Sequence, residues 1–427
     1  LPAWAQGAFN GYVEGGGAAS MSVTAAGKIT GKITAGGVSY AFGAASYSSG
    51  SAGDGSFVLS AVAKAGSASL PLELAVSELS DTLGVAEGTL GDDGAYALAL
   101  WRNVWKDSGT ADALGPLVGY YTAALPGGET GMGSGYLTFT VDKAGGVKAA
   151  GKLADGTAVS LGGTLILDES GRTFAVVCAA PSAYKGGCLF GLAEFSGASL
   201  APLDDAPFVW SSQNPQATAV YGEGLYCELG LSGVLYDKSG SLNDYYQDGL
   251  TVDGVGALPE LAATCKYTYG EEDENGKIIK TTETADVSAS AAEASPNGLV
   301  LAVNAAGTAL SAPKADSPKK GSEPGEYDYG DTNGDGESNP SGLTVSFAKA
   351  TGIFKGSFSV YYDYVSAQDD TKEENGETWA HVAKKVSCEG VLTPSGDVAG
   401  RGFFLWADKG SYDSGKVDKN GDPVMTA

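Results

Sequence analysis

Asp331, Asn333 and Asp335 place a side-chain oxygen at every second residue of Asp-Thr-Asn-Gly-Asp-Gly-Glu, with Gly336 sixth and Glu337 seventh. Oxygen donors at positions one, three and five with a glycine at six form the first half of an EF-hand-type calcium loop, where the glycine permits the sharp turn. The spacing assigns a Ca2+ site to Asp331, Asn333, Asp335 and Glu337. The second half departs from that pattern: Gly342 stands where a bidentate glutamate belongs, and the flanks are tyrosine-rich and strand-like instead of helical. Asp, Asn and Gly are also the ordinary residues of a turn capping a hairpin, so both outcomes stay open. Asp418-Lys419-Asn420-Gly421-Asp422 is a weaker echo of the same order.

Nucleophilic catalysis needs a base, and the single histidine is His381, in Trp379-Ala380-His381-Val382. No Gly-x-Ser-x-Gly elbow frames it, and Cys388 is seven residues away on the same strand-like run. His381 is therefore expected to be a surface or barrel-lining side chain. Glycoside hydrolysis needs two carboxylates facing a cleft. Glu73, Asp168, Glu194, Glu228 and Glu389 are candidates without a motif that selects a pair. Catalysis is not expected.

The cysteines, Cys178, Cys188, Cys227, Cys265 and Cys388, show no C-x-x-C spacing, which argues against zinc or redox chemistry of that kind. Cys178, Cys188, Cys227 and Cys265 are the disulfide candidates. Cys178 and Cys188 flank a turn-like segment, so a cross-strand bridge is geometrically open to them in an oxidising compartment. The alternative is small buried thiols acting as core hydrophobes. Tyr245, Tyr246, Tyr267, Tyr269, Tyr327, Tyr329, Tyr361, Tyr362 and Tyr364 concentrate in the acidic last third, where exposed rings beside carboxylates suit glycan or protein contacts. Half-buried framework is the competing reading of the same residues.

The elements carrying these side chains are strands. Met21 and Val23, a turn at Ala25 to Gly27, then Ile29, Gly31 and Ile33 alternate as a hairpin does. The device recurs at Leu137 to Leu153, with Gly151, and at Leu343 to Phe358, with Gly356. A glycine between inward apolar residues suggests a bulge, a bend at a barrel corner, or close approach of a large side chain; the bend is the expectation. A Trp in apolar context follows each copy at some distance: Trp101, Trp210 and Trp406. Leu70 to Leu83, despite Pro71, alternates as a strand.

The fold class expected is all-β: two to three tandem β-barrel or β-sandwich modules, the last with a large insertion. The boundaries are 1–112, 113–215 and 216–427. The acidic, tyrosine-rich insertion spans about 220–342 and includes a strand pair over Gly224 to Tyr236, a long hairpin from Cys265 to Val287 and a loop from Ala312 to Gly325.

Composition narrows the partners. The chain of 427 residues carries 26 Lys plus Arg against 51 Asp plus Glu, a formal charge of -25, with arginine only at Arg102, Arg172 and Arg401. Nucleic acid and anionic membranes need clustered cations, and no such cluster exists. No apolar run reaches the roughly 18 residues that span a bilayer. Charged residues make up 18%, low for a soluble domain, which points outside the cytosol. The first residue is Leu1, so an N-terminus that is processed, or cut from something longer, is expected.

The segments Gly7 to Val13, Ser22 to Ile33, Ala150 to Ser160 and Phe190 to Phe195 resemble the glycine-rich β-repeats of large secreted and surface-anchored bacterial proteins. That family has no established activity, and the resemblance transfers no catalytic residue. It implies an extracellular or cell-surface structural or adhesive role, with copies of the chain or other surface proteins as partners. A carbohydrate-binding array is the alternative, and a glycoside hydrolase a remote one.

Overall fold

The computed structural model describes residues 1–50, 55–107, 109–127, 133–181, 184, 187–212, 225–253, 261–289, 296–320, 327–328, 330–372, 376–394, 396, 398–405, 412–417 and 423–426. The chain is all-β, as its alternation requires; Ala111–Leu114 is the one α-helix among the described residues. Two compact units form. The first comprises Leu1–Gly240, Lys349–Ile353 and Gly390–Phe403, and the second Ser241–Ala348, Phe354–Glu389 and Phe404–Ala427.

The first unit opens with β1 (Gly7–Val13), β2 (Gly17–Val23), β3 (Ile29–Ala35), β4 (Val38–Ala44), β5 (Ser49–Gly50), β6 (Phe57–Ala65), β7 (Ala68–Glu78), β8 (Gly84–Leu90) and β9 (Tyr96–Arg102). They pair in the order β4-β3-β2-β1-β9-β8-β7-β6-β5, and Ala41 opposite Lys64 joins β4 to β6, so the meander closes into a barrel. Period-two patterning drives the closure. Phe9, Ile29, Ile33, Leu59, Leu72 and Leu74 point inward and are buried, while Ser20, Ser22, Thr30, Lys64 and Glu73 point outward and are exposed. The Leu72, Leu74, Val76 alternation indeed forms a strand, β7.

The β2–β3 turn is held by Thr24 N–H donating to Lys28 O at 2.9 Å and Gly27 N–H to Thr24 O at 2.8 Å. Gly27 has φ +92. That left-handed conformation costs glycine little and other residues much, and it gives the turn the twist of the strands it joins. Asp142 and Gly146 repeat the arrangement around Gly145 (φ +75), and Gly352 occupies the same place at φ +71. The shared glycine of the repeat is thus the turn glycine. It precedes Gly31 and Gly356 by four residues but Gly151 by six, so Gly151 is not the register counterpart of the other two.

The β2–β3 register runs unbroken through Met21 opposite Gly31, which excludes a bulge there. A Cβ on Gly31 would lie 2.2 Å from the Phe42 ring, and one on Gly151 1.9 Å from the Tyr136 carbonyl oxygen. Gly31 makes room for a large side chain, one of the three expected options, while Gly151 admits the neighbouring backbone.

The second sheet comprises β10 (Gly119–Leu125), β11 (Gly135–Val141), β12 (Gly146–Lys152), β13 (Ala158–Thr164), β14 (Ile166–Leu167), β15 (Thr173–Ala179), β16 (Leu189–Ser196), β17 (Ser199–Pro202), β18 (Phe208–Ser211), β19 (Tyr226–Leu229) and β20 (Ser232–Leu235). It runs β13-β12-β11-β10-β20-β17-β16-β15-β14 and is a nearly closed barrel. β20 lies between β10 and β17, the place β9 holds between β1 and β8. The chain reaches it through an excursion in which β18 pairs with both β16 and β19. Phe208 and Trp210 on that excursion are fully buried in the second core. Two expectations change here. β19 and β20 belong to this sheet and do not pair with each other: β19 pairs with β18, and β20 with β10 and β17. Trp101 and Trp210 are not equivalent either.

Trp101 points outward from β9 while Leu100 points in. Its ring meets Phe174 of the second barrel edge-on, with centroids 5.7 Å apart, and its Nε1 donates to Glu169 Oε2 at 3.1 Å. With Val85, Ile166, Phe174 and Leu203 it forms a separate buried cluster, a seam between the two barrels. Trp406 lies outside the described residues. On another face of the second barrel, Tyr236 Oη donates to Lys349 O at 2.7 Å and Tyr120 Oη to Thr351 O at 3.1 Å, fixing the Lys349–Ile353 turn.

The second unit is built on smaller sheets. β21 (Leu250–Thr251), β24 (Val300–Val303) and β25 (Leu310–Ser311) form one, and β26 (Lys319–Lys320) pairs with β27 (Tyr327–Asp328). The larger sheet runs β23 (Ile278–Ala289), β22 (Leu261–Glu272), β29 (Ile353–Asp369), β30 (Thr378–Leu392) and β31 (Gly400–Phe404), with β28 (Thr344–Ala348) beside β29. β29, β30 and β31 also run into segments of the first unit. β22 and β23 make the predicted long hairpin, closed by the Asp273–Lys277 turn. β32 (Tyr412–Val417) and β33 (Pro423–Thr426) form a separate pair.

The seam generates a prediction. Trp101→Ala removes a large buried ring and is expected to cost about 3–4 kcal/mol; because the ring belongs to neither barrel's interior, calorimetry should resolve one transition into two. An unsplit transition at the wild-type temperature would refute the seam's role.

Candidate functional site

The acidic loop is built around Asp316, a residue only 6% exposed. Its Oδ1 accepts from the backbone amides of Thr332 at 2.9 Å and Asn333 at 3.2 Å, and its Oδ2 from Asn339 at 2.7 Å. The Asn339 amide, followed by the two amides from the other end of the loop, holds the Asp316 carboxyl below the usual carboxylate range. Asn339, itself fully buried, donates to Pro313 O at 2.8 Å and Leu343 O at 3.1 Å and accepts from Leu343 N–H at 2.9 Å. These bonds fix both ends of the loop before β28 begins. Asp316 lies in a Pro/Lys/Ser tract whose composition signals only a linker; a buried carboxylate among such residues has no local pattern.

Within the loop, Asp331 Oδ1 accepts from Gly334 N–H at 2.6 Å and Oδ2 from Gly336 N–H at 2.8 Å. Asn333 Oδ1 accepts from Asp335 N–H, and Asp335 Oδ1 from Glu337 N–H, each at 3.0 Å. Gly334 and Gly336 take φ of +74 and +84. The side chains of Asp331, Asn333 and Asp335 thus serve the turn as its acceptors, as Asx residues do. Among the described residues no three His, Cys, Asp or Glu side chains gather at metal-binding spacing. Asp418 to Asp422 lies outside the described residues.

His381 is more enclosed than its sequence context suggested. From β30 its Nδ1 lies 2.8 Å from Asp363 Oδ1 on β29, with side chains 12% and 8% exposed. The pair is half-buried and spans β29 and β30, which are neighbours in the sheet. Cys388 lies against Gly356, within 3.0 Å of where a Cβ would stand, and burial pushes its thiol up to about 11.

The carboxylates considered for hydrolysis are dispersed. Glu73 and Glu228 are exposed on β7 and β19, and Glu194 is half-buried on β16. Glu389 lies 4.0 Å from Lys355 Nζ. Asp168 is buried and accepts from the amides of Ser170 and Arg172, both at 2.9 Å, and from Arg172 Nε at 2.8 Å. Arg172 also pairs with Asp204, so this cluster pins a turn beside the seam.

All five cysteines are free thiols. Cys227 is buried in the second barrel, its Sγ 3.8 Å from Trp210 O, and Cys265 is fully buried on β22. Burial, then the neighbouring Cys188, pushes the Cys178 thiol up to about 11; burial likewise raises Cys188.

Of the tyrosines, Tyr362 and Tyr364 on β29 hold their rings 6.5 Å apart and 19° from parallel. Tyr269 Oη donates to Glu283 Oε1 at 2.8 Å across the β22–β23 hairpin. Tyr267 stands two residues before it, next to Cys265, and Tyr245 packs on Tyr246. The side chain of Tyr327, and Tyr329 altogether, lie outside the described residues. Comparison with protein-family models, curated proteins and solved structures finds no significant match to this chain.

Asp316→Ala leaves three backbone amides without their acceptor and is expected to lower stability by about 2 kcal/mol at neutral pH. Because the folded carboxyl is depressed, its contribution is complete above the ordinary range near about 4 and fades as pH falls below it. Melts of wild type and variant should therefore converge in acid. Equal stability at pH 7 would remove Asp316 from its anchoring role.

Proposed function

We propose that this chain is a non-enzymatic extracellular or cell-surface structural protein that associates with copies of itself or with other surface proteins. The observation that carries the reading is the edge of the second unit's large sheet, which no further strand covers among the described residues. β23 is twelve residues long, has β22 on one side, and ends the strand order on the other. Its Ile278 and Ile279 are 57% and 54% exposed. An exposed edge of this length carries unpaired backbone donors and acceptors that can template a further strand. The filled barrels and their apolar seam fit a rigid spacer, and the outward Ser, Thr, Lys and Glu residues keep its sides polar.

Sedimentation over a wide concentration range tests this. Reversible assembly is expected, and Ile279→Lys, which puts a charge on the edge, should weaken it. A strict monomer at every concentration counts against the reading. A strict monomer retained on polysaccharide through Tyr269, Tyr362 and Tyr364 would replace it with glycan binding.

A second, narrower reading attaches Ca2+ to the loop of Asp331, Asn333, Asp335 and Glu337. It is favoured by the left-handed Gly336 at the sixth position, where a calcium loop has its turn glycine, after side-chain oxygens at positions one, three and five. In this reading the side-chain oxygens that accept the loop amides use their remaining lone pairs for the ion. EDTA should lower the melting temperature and added Ca2+ restore it. An unchanged melt removes calcium.

A further inference from the structure

Cys178 and Cys188 lie at the end of the β15–β16 hairpin where the connecting segment joins the two strands. Cys178 is opposite Phe190 in the ladder, and Ala179 opposite Leu189. Cys188 is two residues before Phe190, so its side chain shares a face with that of Cys178 on the diagonal. That face is the outer one, which farther along carries Phe174, Val176 and Leu192 into the seam with the first barrel. The β1–β2 turn of the first barrel rests at this end: a Cβ on Gly16 would lie 3.6 Å from Cys188 Sγ and 3.8 Å from Phe190 Cβ.

We propose that Cys178 and Cys188 are a disulfide-forming pair that staples the β15–β16 hairpin at the margin of the barrel seam. Diagonal neighbours on one face stand roughly 7–8 Å apart at Cα, just beyond the range of about 4.4–6.8 Å that a disulfide spans. Closure therefore needs a small movement of one partner. Cys188 can make it, because it precedes β16, which begins at Leu189, and its backbone bonds among the described residues are to Ser211 of β18: Ser211 N–H to Cys188 O at 2.9 Å and Cys188 N–H to Ser211 Oγ at 3.3 Å. The remaining thiols are placed differently: Cys227 inside the second barrel, Cys265 and Cys388 in the second unit.

The chemistry is thiol–disulfide exchange with a small-molecule disulfide such as oxidised glutathione. Two S–H bonds are lost and one S–S bond forms. The glutathione disulfide is reduced to two glutathione molecules, which carry away both protons and both electrons. The attacking species is a thiolate, and in the folded protein burial disfavours it at both cysteines. The bond accordingly forms while the chain folds in an oxidising compartment, and the closed bond is then shielded.

The test is refolding of the full chain from denaturant with and without a glutathione redox pair, followed by alkylation under denaturing conditions. Three of the five cysteines are expected to alkylate after oxidative refolding. Trypsin, cutting after Arg172, Lys185 and Lys238, should release Thr173–Lys185 joined to Gly186–Lys238. The second peptide also holds Cys227, so the link must persist in Cys227→Ala and vanish in Cys188→Ser. Oxidised wild type should melt about 5–10 °C above the reduced form. Alkylation of all five cysteines, or a link that survives in Cys188→Ser, overturns the proposal.

Discussion

An open sheet keeps unpaired backbone donors and acceptors along both outer strands until its ends meet. Closure is the constraint on which the first unit rests. In the first barrel it comes down to Ala41 opposite Lys64 and to β1 beside β9, with Phe9 opposite Arg102. Once those contacts exist, alternate residues of every strand become a shared interior, and the burial of Phe9, Ile29, Ile33, Leu59, Leu72 and Leu74 supplies the stabilising free energy. The outward residues are then free to serve other purposes. Trp101 shows this most clearly: its neighbour Leu100 belongs to the barrel, and Trp101 belongs to the seam.

Much of this was legible because hairpins are written locally. Met21 to Thr34 alternates around a turn whose glycine must be left-handed, and nothing distant is needed to infer two strands there. The same logic recovered β11–β12, β28–β29 and the β22–β23 ribbon. The repeat itself was visible but aligned on the wrong glycine. Gly31 and Gly151 look alike in sequence, yet Gly27 and Gly145 carry the shared geometry, and Gly151 sits two residues out of step. One residue type answers several backbone demands, so identity alone does not reveal which demand is met.

What resisted reading was long-range. Trp101 and Trp210 both follow an apolar pair near the end of a module, but one faces a neighbouring barrel and the other fills its own. That difference arises because β20 takes the closing position and leaves β18 as an excursion across β16. Asp316 is the comparable case at the candidate loop. Asp331 to Glu337 drew attention through spacing, while the carboxylate that organises both loop ends sits in a tract resembling a linker. His381 likewise gained its partner, Asp363, from the pairing of β29 with β30, across a separation that no motif spans.

The different routes by which the two barrels close bear on how a repeated chain avoids mispairing. Hairpins as alike as β2–β3 and β11–β12 can exchange partners if both are loose at once, a characteristic failure of repeat proteins. During synthesis the first barrel has every strand it needs once Arg102 is available. The second waits for β20, after the β18–β19 excursion. The first barrel can close while the second still lacks its last strand, and the β18–β19 excursion lengthens that interval.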